Sequence, residues 1–542
     1  MTEREPGAVV PGAVVVPGAG VPGAEVPGAG VPAAGWRRLD PRMLAVTPLR
    51  QLFGFLPLIA VVLLVGPQDL DRQVYGLLAA VVAVVAAGML RWLTTRYRIT
   101  RERVELNSGL LFRTTRSVPR DRIRSVDLTA GPVHRLFGLS VIKIGTGEHA
   151  EGTDSRELAL DAVSSAEADR LRHHLLNRPG ASVRDGAGLT APPAASELAA
   201  LDWSWLRFAP LTVSSLAAVG AVAGAFAQFI GELGVEPSDV VEVGGVGTRL
   251  SAAPLWLEIT AFALVVLMIA VLGALMIFIE AWWRFRLVRE PGGTLRIRRG
   301  LLTTRSVSLE ERRLRGVEVA EPLLLRLGRG ARLTAVATGL GGGPGQGRGA
   351  LLPPAPLREA HQVASLVLAD VGAPTRAPLR RHPAAALRRR LVRAVLPVLL
   401  GSAVLSLAAV LSLAAVPTWA GWAVLGLLPI TVLLALDAYR NLGHALIERY
   451  LVTRHGAGVR RTVALQRSGV IGLTVSQSLL QRRVGLITLT ATTAAGSGAY
   501  HVIDVGTADG LALAEQAVPG LLGPFLHRSE LDAASSTPSA PG

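Results

Sequence analysis

Arginine is the residue type in this chain whose placement could do chemistry. Arg380, Arg381, Arg388, Arg389, Arg390 and Arg393 cluster just before an apolar run, and Arg113, Arg116, Arg120, Arg122 and Arg124 crowd an earlier segment. A guanidinium is a planar fork of donors that matches phosphate oxygens. Near an anionic leaflet each basic side chain gains about 1 kcal/mol. The expected chemistry is therefore electrostatic contact with anionic lipid headgroups, nonspecific in kind, because the same clusters also serve to set membrane topology. A nucleic-acid partner is not expected, since the basic runs hug the ends of apolar segments and do not interleave with aromatics. Net charge is +16, and Lys143 is the single lysine.

No other residue types converge on a reaction. His173 and His174 are neighbours on a predicted helix and cannot face one metal together. His134 and His149 are isolated, and Asp121, Asp127 and Asp161 are scattered without a paired-acid pattern. The run Gly341-Gly342-Gly343-Pro344-Gly345 lacks the Lys-Ser/Thr that follows a phosphate-binding loop. Cysteine is absent, which removes disulfides, thiolate nucleophiles and cysteine metal sites. The expectation is a protein with no catalytic residue, no metal and no cofactor.

The elements that carry these arginines are apolar. The 542 residues are 50% hydrophobic and the mean hydropathy is +0.42. Soluble domains rarely reach that average. Six apolar runs fall at 52–65, 74–93, 208–230, 255–279, 394–416 and 419–436. A crossing helix needs about 20 such residues. The runs come as three close pairs, so the expectation is six transmembrane helices in three hairpins. The first two loops between paired runs carry Asp69, Asp71, Glu232, Glu236, Asp239 and Glu242, and the third is a bare turn at Pro417-Thr418. The long segments between pairs are Arg-rich. Positive-inside reasoning then places both termini and all soluble segments in the cytoplasm of a multi-pass cell-membrane protein. Tryptophans such as Trp92, Trp282 and Trp419 sit near the predicted span ends, as interfacial indoles do. Glu258 and Gln228 lie near outer ends and Glu280 and Asp437 at inner ends, with no midplane ionisable pair. That dryness disfavours the alternative reading, a six-span transporter or export component with regulatory soluble modules.

The expected domains follow. Residues 1–44 are a Val-Pro-Gly-Ala repeat tail without core-forming power. Then come hairpin 45–93, soluble module 94–180, linker 181–202, hairpin 203–283, module 284–372, basic linker 373–393, hairpin 394–440, module 441–525 and tail 526–542.

Each module reads as several short strands and then one helix. In the first, Ser164 and Glu167 have capping-box spacing before that helix. The modules repeat. Gly109-Leu110-Leu111 returns as Gly300-Leu301-Leu302, and Thr114-Thr115-Arg116-Ser117-Val118 as Thr303-Thr304-Arg305-Ser306-Val307. Ile123-Arg124-Ser125-Val126-Asp127 is echoed by Leu314-Arg315-Gly316-Val317-Glu318, and Arg135-Leu136-Phe137-Gly138 by Arg326-Leu327-Gly328. In the third module, Val470 through Arg482 and Gly485 keeps the spacing of Ile123 through Gly138.

This pattern resembles the bacterial pleckstrin-homology-like membrane proteins (bacterial PH type 2), in their multi-module form, over residues 45–525. The motif is carried by Gly109, Pro119, Ile123, Arg135, Phe137 and Gly138, then by Gly300, Leu314 and Gly328, then by Val470, Arg482 and Gly485. The second module has Ser308 where the proline is expected and the third lacks the early Gly-Leu-Leu. The resemblance implies an α+β membrane protein in which each hairpin precedes a seven-stranded small barrel capped by a C-terminal helix. It implies no catalytic residues and a scaffold that binds partner proteins or anionic headgroups in envelope maintenance or stress. A membrane-protein partner and self-association are both compatible with it.

Overall fold

The computed structural model describes residues 35–46, 92–109, 113–145, 158–176, 195–212, 255–339, 349–411 and 417–520, less positions 101, 124 and 371, with scattered residues among 49–91 and 220–228. A short strand, β1 (Arg37–Arg38), precedes the first unit. Unit one is then β2 (Arg96–Ile99), β3 (Arg103–Ser108), β4 (Thr114–Pro119), β5 (Ser125–Ala130), α1 (Pro132–Leu136), β6 (Leu139–Gly145), β7 (Leu158–Ser164) and α2 (Ser165–Leu176). Next come β8 (Ser196–Ala200) and the long helix α3 (Leu255–Trp282). Unit two repeats the order as β9 (Arg286–Glu290), β10 (Thr294–Arg299), β11 (Thr304–Glu310), β12 (Leu314–Pro322), α4 (Leu323–Leu327), β13 (Gly330–Ala337), β14 (Ala350–Pro356) and α5 (Leu357–Leu368). Three further helices follow, α6 (Ala384–Val410), α7 (Ala420–Leu425) and α8 (Leu428–Arg440). Unit three is β15 (Gly443–Ile447), β16 (Tyr450–His455), β17 (Val459–Gln466), β18 (Gly472–Ser476), α9 (Leu479–Arg483), β19 (Leu486–Thr492), β20 (Ala499–Gly506) and α10 (Thr507–Ala517).

Between the third and fourth strand of every unit the chain makes one 3₁₀ turn, at Arg120–Arg122, Glu311–Arg313 and Arg467–Gly469. The turn separates two half-sheets, and neighbouring units share them. The strand orders are β1-β2-β3-β4, then β7-β6-β5-β11-β10-β9-β8, then β14-β13-β12-β17-β16-β15, then β18-β19-β20. The second half of each unit thus pairs with the first half of the next, β5 on β11 and β12 on β17, both antiparallel. The strands expected to form a small helix-capped barrel in each module are thus divided between two half-sheets, which neighbouring units share.

A seventh strand per unit is supplied from ahead of the apolar segment. β1 pairs with β2, and β8 with β9. In unit three the same place is held by a single bridge, Arg380 to His444. The cores are apolar faces of these half-sheets closed by the terminal helices. Val126, Ile142, Leu160 and Leu171 pack in unit one, Leu295, Val317, Leu333 and Val363 in unit two, and Val463, Leu489, Val502 and Leu513 in unit three.

The expectation of six transmembrane helices in three hairpins is not met. Among the described residues two helices are long and apolar enough to cross a membrane, Ala384–Val410 and Ala420–Arg440, and α3 adds a shorter apolar stretch, Leu267–Trp282. The expected run 52–65 lies outside the described residues, as do half of 74–93 and most of 208–230. An apolar run records composition, and crossing also needs a continuous helix of sufficient length; the run 52–65 falls short of the ~20 residues required. The two candidates pack closely. Ser402 Oγ donates to the Gly421 carbonyl at 2.8 Å, and a Cβ at Gly421 would lie 2.0 Å from Ser406 Oγ. Small residues that let helix backbones approach are the usual means of association in lipid.

Candidate functional site

A cleft of about 470 Å³ opens in unit one, where the helical residues 92–94 meet β2. Its walls are apolar at Leu39, Leu90 and Leu106 and carry hydroxyls at Thr94, Thr95, Ser108 and Thr114. Arg116 on β4 and Asp161 on β7 also face it. An aromatic rim holds the base of the unit. Trp92 Nε1 donates to the Leu39 carbonyl at 3.0 Å, and the Arg98 guanidinium lies 4.9 Å from the Trp36 ring. A cation, a carboxylate and hydroxyls within one apolar mouth can bind a phosphate together with a hydrogen-bond donor.

The strand pairings explain why unit one has this cleft. Leu106 faces Arg116 across β3–β4, as Ile297 faces Val307 across β10–β11. Arg116 is therefore the counterpart of buried Val307, and Thr95 that of buried Phe285. Apolar side chains fill in unit two the space that polar ones leave open in unit one. The identity Thr-Thr-Arg-Ser-Val thus sits two residues out of structural register, since the turn from Ser108 to Thr114 matches in length that from Arg299 to Arg305 and the shared letters fall at different points along it. Glu310, and not Ser308, occupies the place of Pro119.

The turn after the second strand differs as well. Gly109, Gly300 and Gly456 all adopt positive φ there, at 111°, 109° and 121°. In unit two Glu280, at the end of α3, accepts from the amides of Leu302 and Thr303 at 2.8 and 3.1 Å. In unit three Asp437, at the end of α8, accepts from Gly458 N at 3.2 Å. These carboxylates tie the turn to the helix end. Leu90 stands in unit one where Glu280 stands in unit two, six residues ahead of Arg96 as Glu280 is of Arg286. Both acids are visible in the sequence at inner helix ends but their use is not; their common place six residues ahead of the first strand of the unit is the available signal.

The motif residues do not gather into one pocket. Ile123 and Leu314 are buried just after the 3₁₀ turns, Val470 and Phe137 are half-buried, and Pro119 closes β4. Gly138 and Gly485 take positive φ after the short helix, whereas Gly328 does not and Arg329 does. Arg135 donates from Nη1 to the Leu301 carbonyl of unit two, and Arg326 binds Asp437 and Asn441 of unit three. Arg482, their counterpart, is exposed. A network that sequence reasoning did not anticipate joins units one and two. Arg172 on α2, 1% exposed, reaches Glu290 at 3.3 Å and Ser308 Oγ at 3.0 Å. Burial lowers its pKa, with Arg296 adding to the effect.

Among the six arginines before α6 and in its first turns, Arg380, Arg381, Arg388 and Arg393 are exposed. Arg389 and Arg390 instead bind Asp504 on β20, whose side chain is 0% exposed, with the Arg390 Nε contact at 3.2 Å. Gln481 Nε2 also donates to Asp504 at 2.9 Å. Beside them His382 and His444 meet ring nitrogen to ring nitrogen at 3.1 Å. Burial, then His382 and Arg380, lowers His444 from its ordinary 6.5 to about 4. The side chains of His173 and His174, and His149 altogether, lie outside the described residues, while His134 is buried. Among the described residues no group of three or more metal-ligating side chains occurs.

A family model described as bacterial PH domain matches three times, at residues 47–179, 238–371 and 395–516. The UPF0699 transmembrane protein YdbT of Bacillus subtilis (strain 168) is 30% identical over 95 residues, 18% of this chain and 19% of that one. The UPF0699 transmembrane protein YdbS of the same organism is 29% identical over 96 residues, 18% of this chain and 56% of that one. Both alignments span less than two thirds of these relatives. No solved structure matches the chain.

Proposed function

The chain belongs to the bacterial PH domain family, and from that premise we propose that it is a non-catalytic membrane scaffold whose first unit holds a phospholipid headgroup. The phosphate sits against Arg116 and the hydroxyls of Ser108 and Thr114. Asp161 accepts from a headgroup that carries a donor, an ammonium or a glycerol hydroxyl. The acyl chains leave along Leu90 and Leu39. The observation that supports this is Arg116 in an open cleft beside an apolar helix end, at the place of buried Val307 in unit two. In this reading the protein resides in the cell membrane with its units and termini on the cytoplasmic face. The exposed Arg380, Arg381, Arg388 and Arg393 add general attraction to anionic lipid, about 1 kcal/mol each. Envelope maintenance is the corresponding cellular role.

The test uses the full-length protein extracted from nanodiscs of phosphatidylethanolamine and phosphatidylglycerol, with retained phospholipid counted by native mass spectrometry. One lipid per chain is expected in the wild type. Arg116→Ala removes the phosphate contact, and Leu90→Glu supplies the carboxylate that ties the turn in unit two. Both should lose the lipid with unfolding temperatures near wild type. Retention unchanged in both variants refutes the cleft as the site. Discs of phosphatidylcholine, whose headgroup has no donor, should give lower occupancy.

A further inference from the structure

The two junctions inside the chain obey one rule. The residue two before the 3₁₀ turn of a unit pairs with the residue three after the end of that turn in the preceding unit. At the first junction Leu309 lies opposite Ser125, and at the second Leu465 lies opposite Gly316. Each unit therefore offers its fourth strand to the third strand of its successor. The rule leaves one strand of each kind outermost in its sheet, β4 of unit one and β18 of unit three.

We propose that β18 of one copy pairs antiparallel with β4 of a second copy of this chain, head to tail. Both junctions predict the same register, Val118 opposite Gly472 and Thr114 opposite Ser476. Three observations support a second copy as the occupant. Val475 is 39% exposed, although its counterparts Leu128 and Val319, covered by the neighbouring unit, are 8% and 0% exposed. On β4, Arg116 and Ser117 are exposed, whereas their counterparts Val307 and Ser308 are buried. Arg135 and Arg326 each dock onto the turn or helix end of the following unit, and Arg482, the third of the series, is exposed. An outermost strand is a ready template for another chain. The contact is heterologous, so repeated use gives a closed ring or an open row. Because the junction is the one already used between units, an added copy carries its apolar helices on the same side as the first.

The chain has no cysteine, so paired cysteine substitutions report the contact directly. Full-length Thr115→Cys is mixed in nanodiscs with full-length Val475→Cys, and Thr114→Cys with Ser476→Cys. Successive antiparallel pairs alternate between hydrogen-bonded and non-hydrogen-bonded, so one of the two suits a disulfide. Oxidation should link two chains for at least one matched pair. The displaced pair Thr115→Cys with Leu473→Cys should link at least tenfold less. Adding Arg482→Ala to a matched pair should slow linking about tenfold while unit three stays folded. Equal yields for matched and displaced pairs overturn the proposal, as does the absence of any two-chain species. So does a doubly substituted chain, Thr115→Cys with Val475→Cys, that oxidises within itself and stays single, which would mean closure inside one copy.

Discussion

Replacing Asp504 should release unit three from the helix that carries Arg389 and Arg390. The carboxylate is wholly buried on β20 and at φ 62°, and it receives both guanidinium groups and Gln481. The side chains of Arg389 and Arg390 are themselves 9% and 17% exposed. Removing one partner of a buried charge cluster leaves the others desolvated and unpaired, which costs about 3–5 kcal/mol. Asp504→Ala should therefore lower the stability of unit three by that amount. At about 2–4 °C per kcal/mol for a cooperative unit of 150–250 residues, the unfolding temperature should fall by roughly 6–20 °C. Asp504→Asn keeps an acceptor for Gln481 and suits positive φ better, so its loss should be smaller, about 2 kcal/mol. Thermal unfolding of the detergent-solubilised protein gives the magnitude. Hydrogen exchange at the first turns of α6 shows whether that junction opens. Stability of Asp504→Ala within 0.5 kcal/mol of wild type, with unchanged exchange, refutes the reasoning that the buried carboxylate joins α6 to the sheet.

The His382–His444 contact makes unit three acid-sensitive. The folded unit refuses a proton at His444 until about pH 4, whereas the unfolded chain accepts one near 6.5. The contribution is therefore fully present above about pH 6.5 and is lost as the pH falls through about 4, by at most about 3 kcal/mol. Denaturant unfolding at pH 7 and pH 4.5 should show a wider gap for wild type than for His444→Asn, and parallel pH dependences contradict this. The turn glycines should differ in tolerance. At Gly300 a Cβ would lie 2.0 Å from the Thr303 carbonyl oxygen at φ 109°, while at Gly485 it meets nothing at φ 64°. Gly300→Ala should cost about 3 kcal/mol and Gly485→Ala about 1 kcal/mol, by equilibrium unfolding, and equal losses would mean that the turn relaxes freely.

The repeat was readable from sequence because it lies in local features. Gly109, Gly300, Ile123 and Leu314 mark a turn and a core position wherever they occur, and strand alternation followed by a helix describes each unit in isolation. Which strand lies beside which is a different kind of information. The alternation in β5 or β12 says that one face is buried and does not say that the partner strand comes from the next unit. The cleft was hidden for a related reason. The matching letters Thr-Thr-Arg-Ser-Val align Arg116 with Arg305, and only the pairing of Leu106 with Arg116 shows that Val307 is its true counterpart. The arginines before α6 were read as one headgroup-facing group, yet Arg389 and Arg390 turn inward because Asp504, more than a hundred positions later, folds back beside them. Apolar runs announced membrane affinity correctly in kind, but their number did not translate into crossing helices.

The bridge from Arg380 to His444 joins backbone on either side of the two apolar helices between them. During synthesis the first half of this clasp leaves the ribosome well before the second. Unit three cannot complete its sheet until α6 through α8 have been made and the chain has returned, so its assembly waits on those helices. Such late, distant pairing is slow, and an arrested hairpin would leave β12 of the preceding unit without its neighbour and open to stray strands. Completion of the apolar helices therefore acts as the timer for folding of unit three.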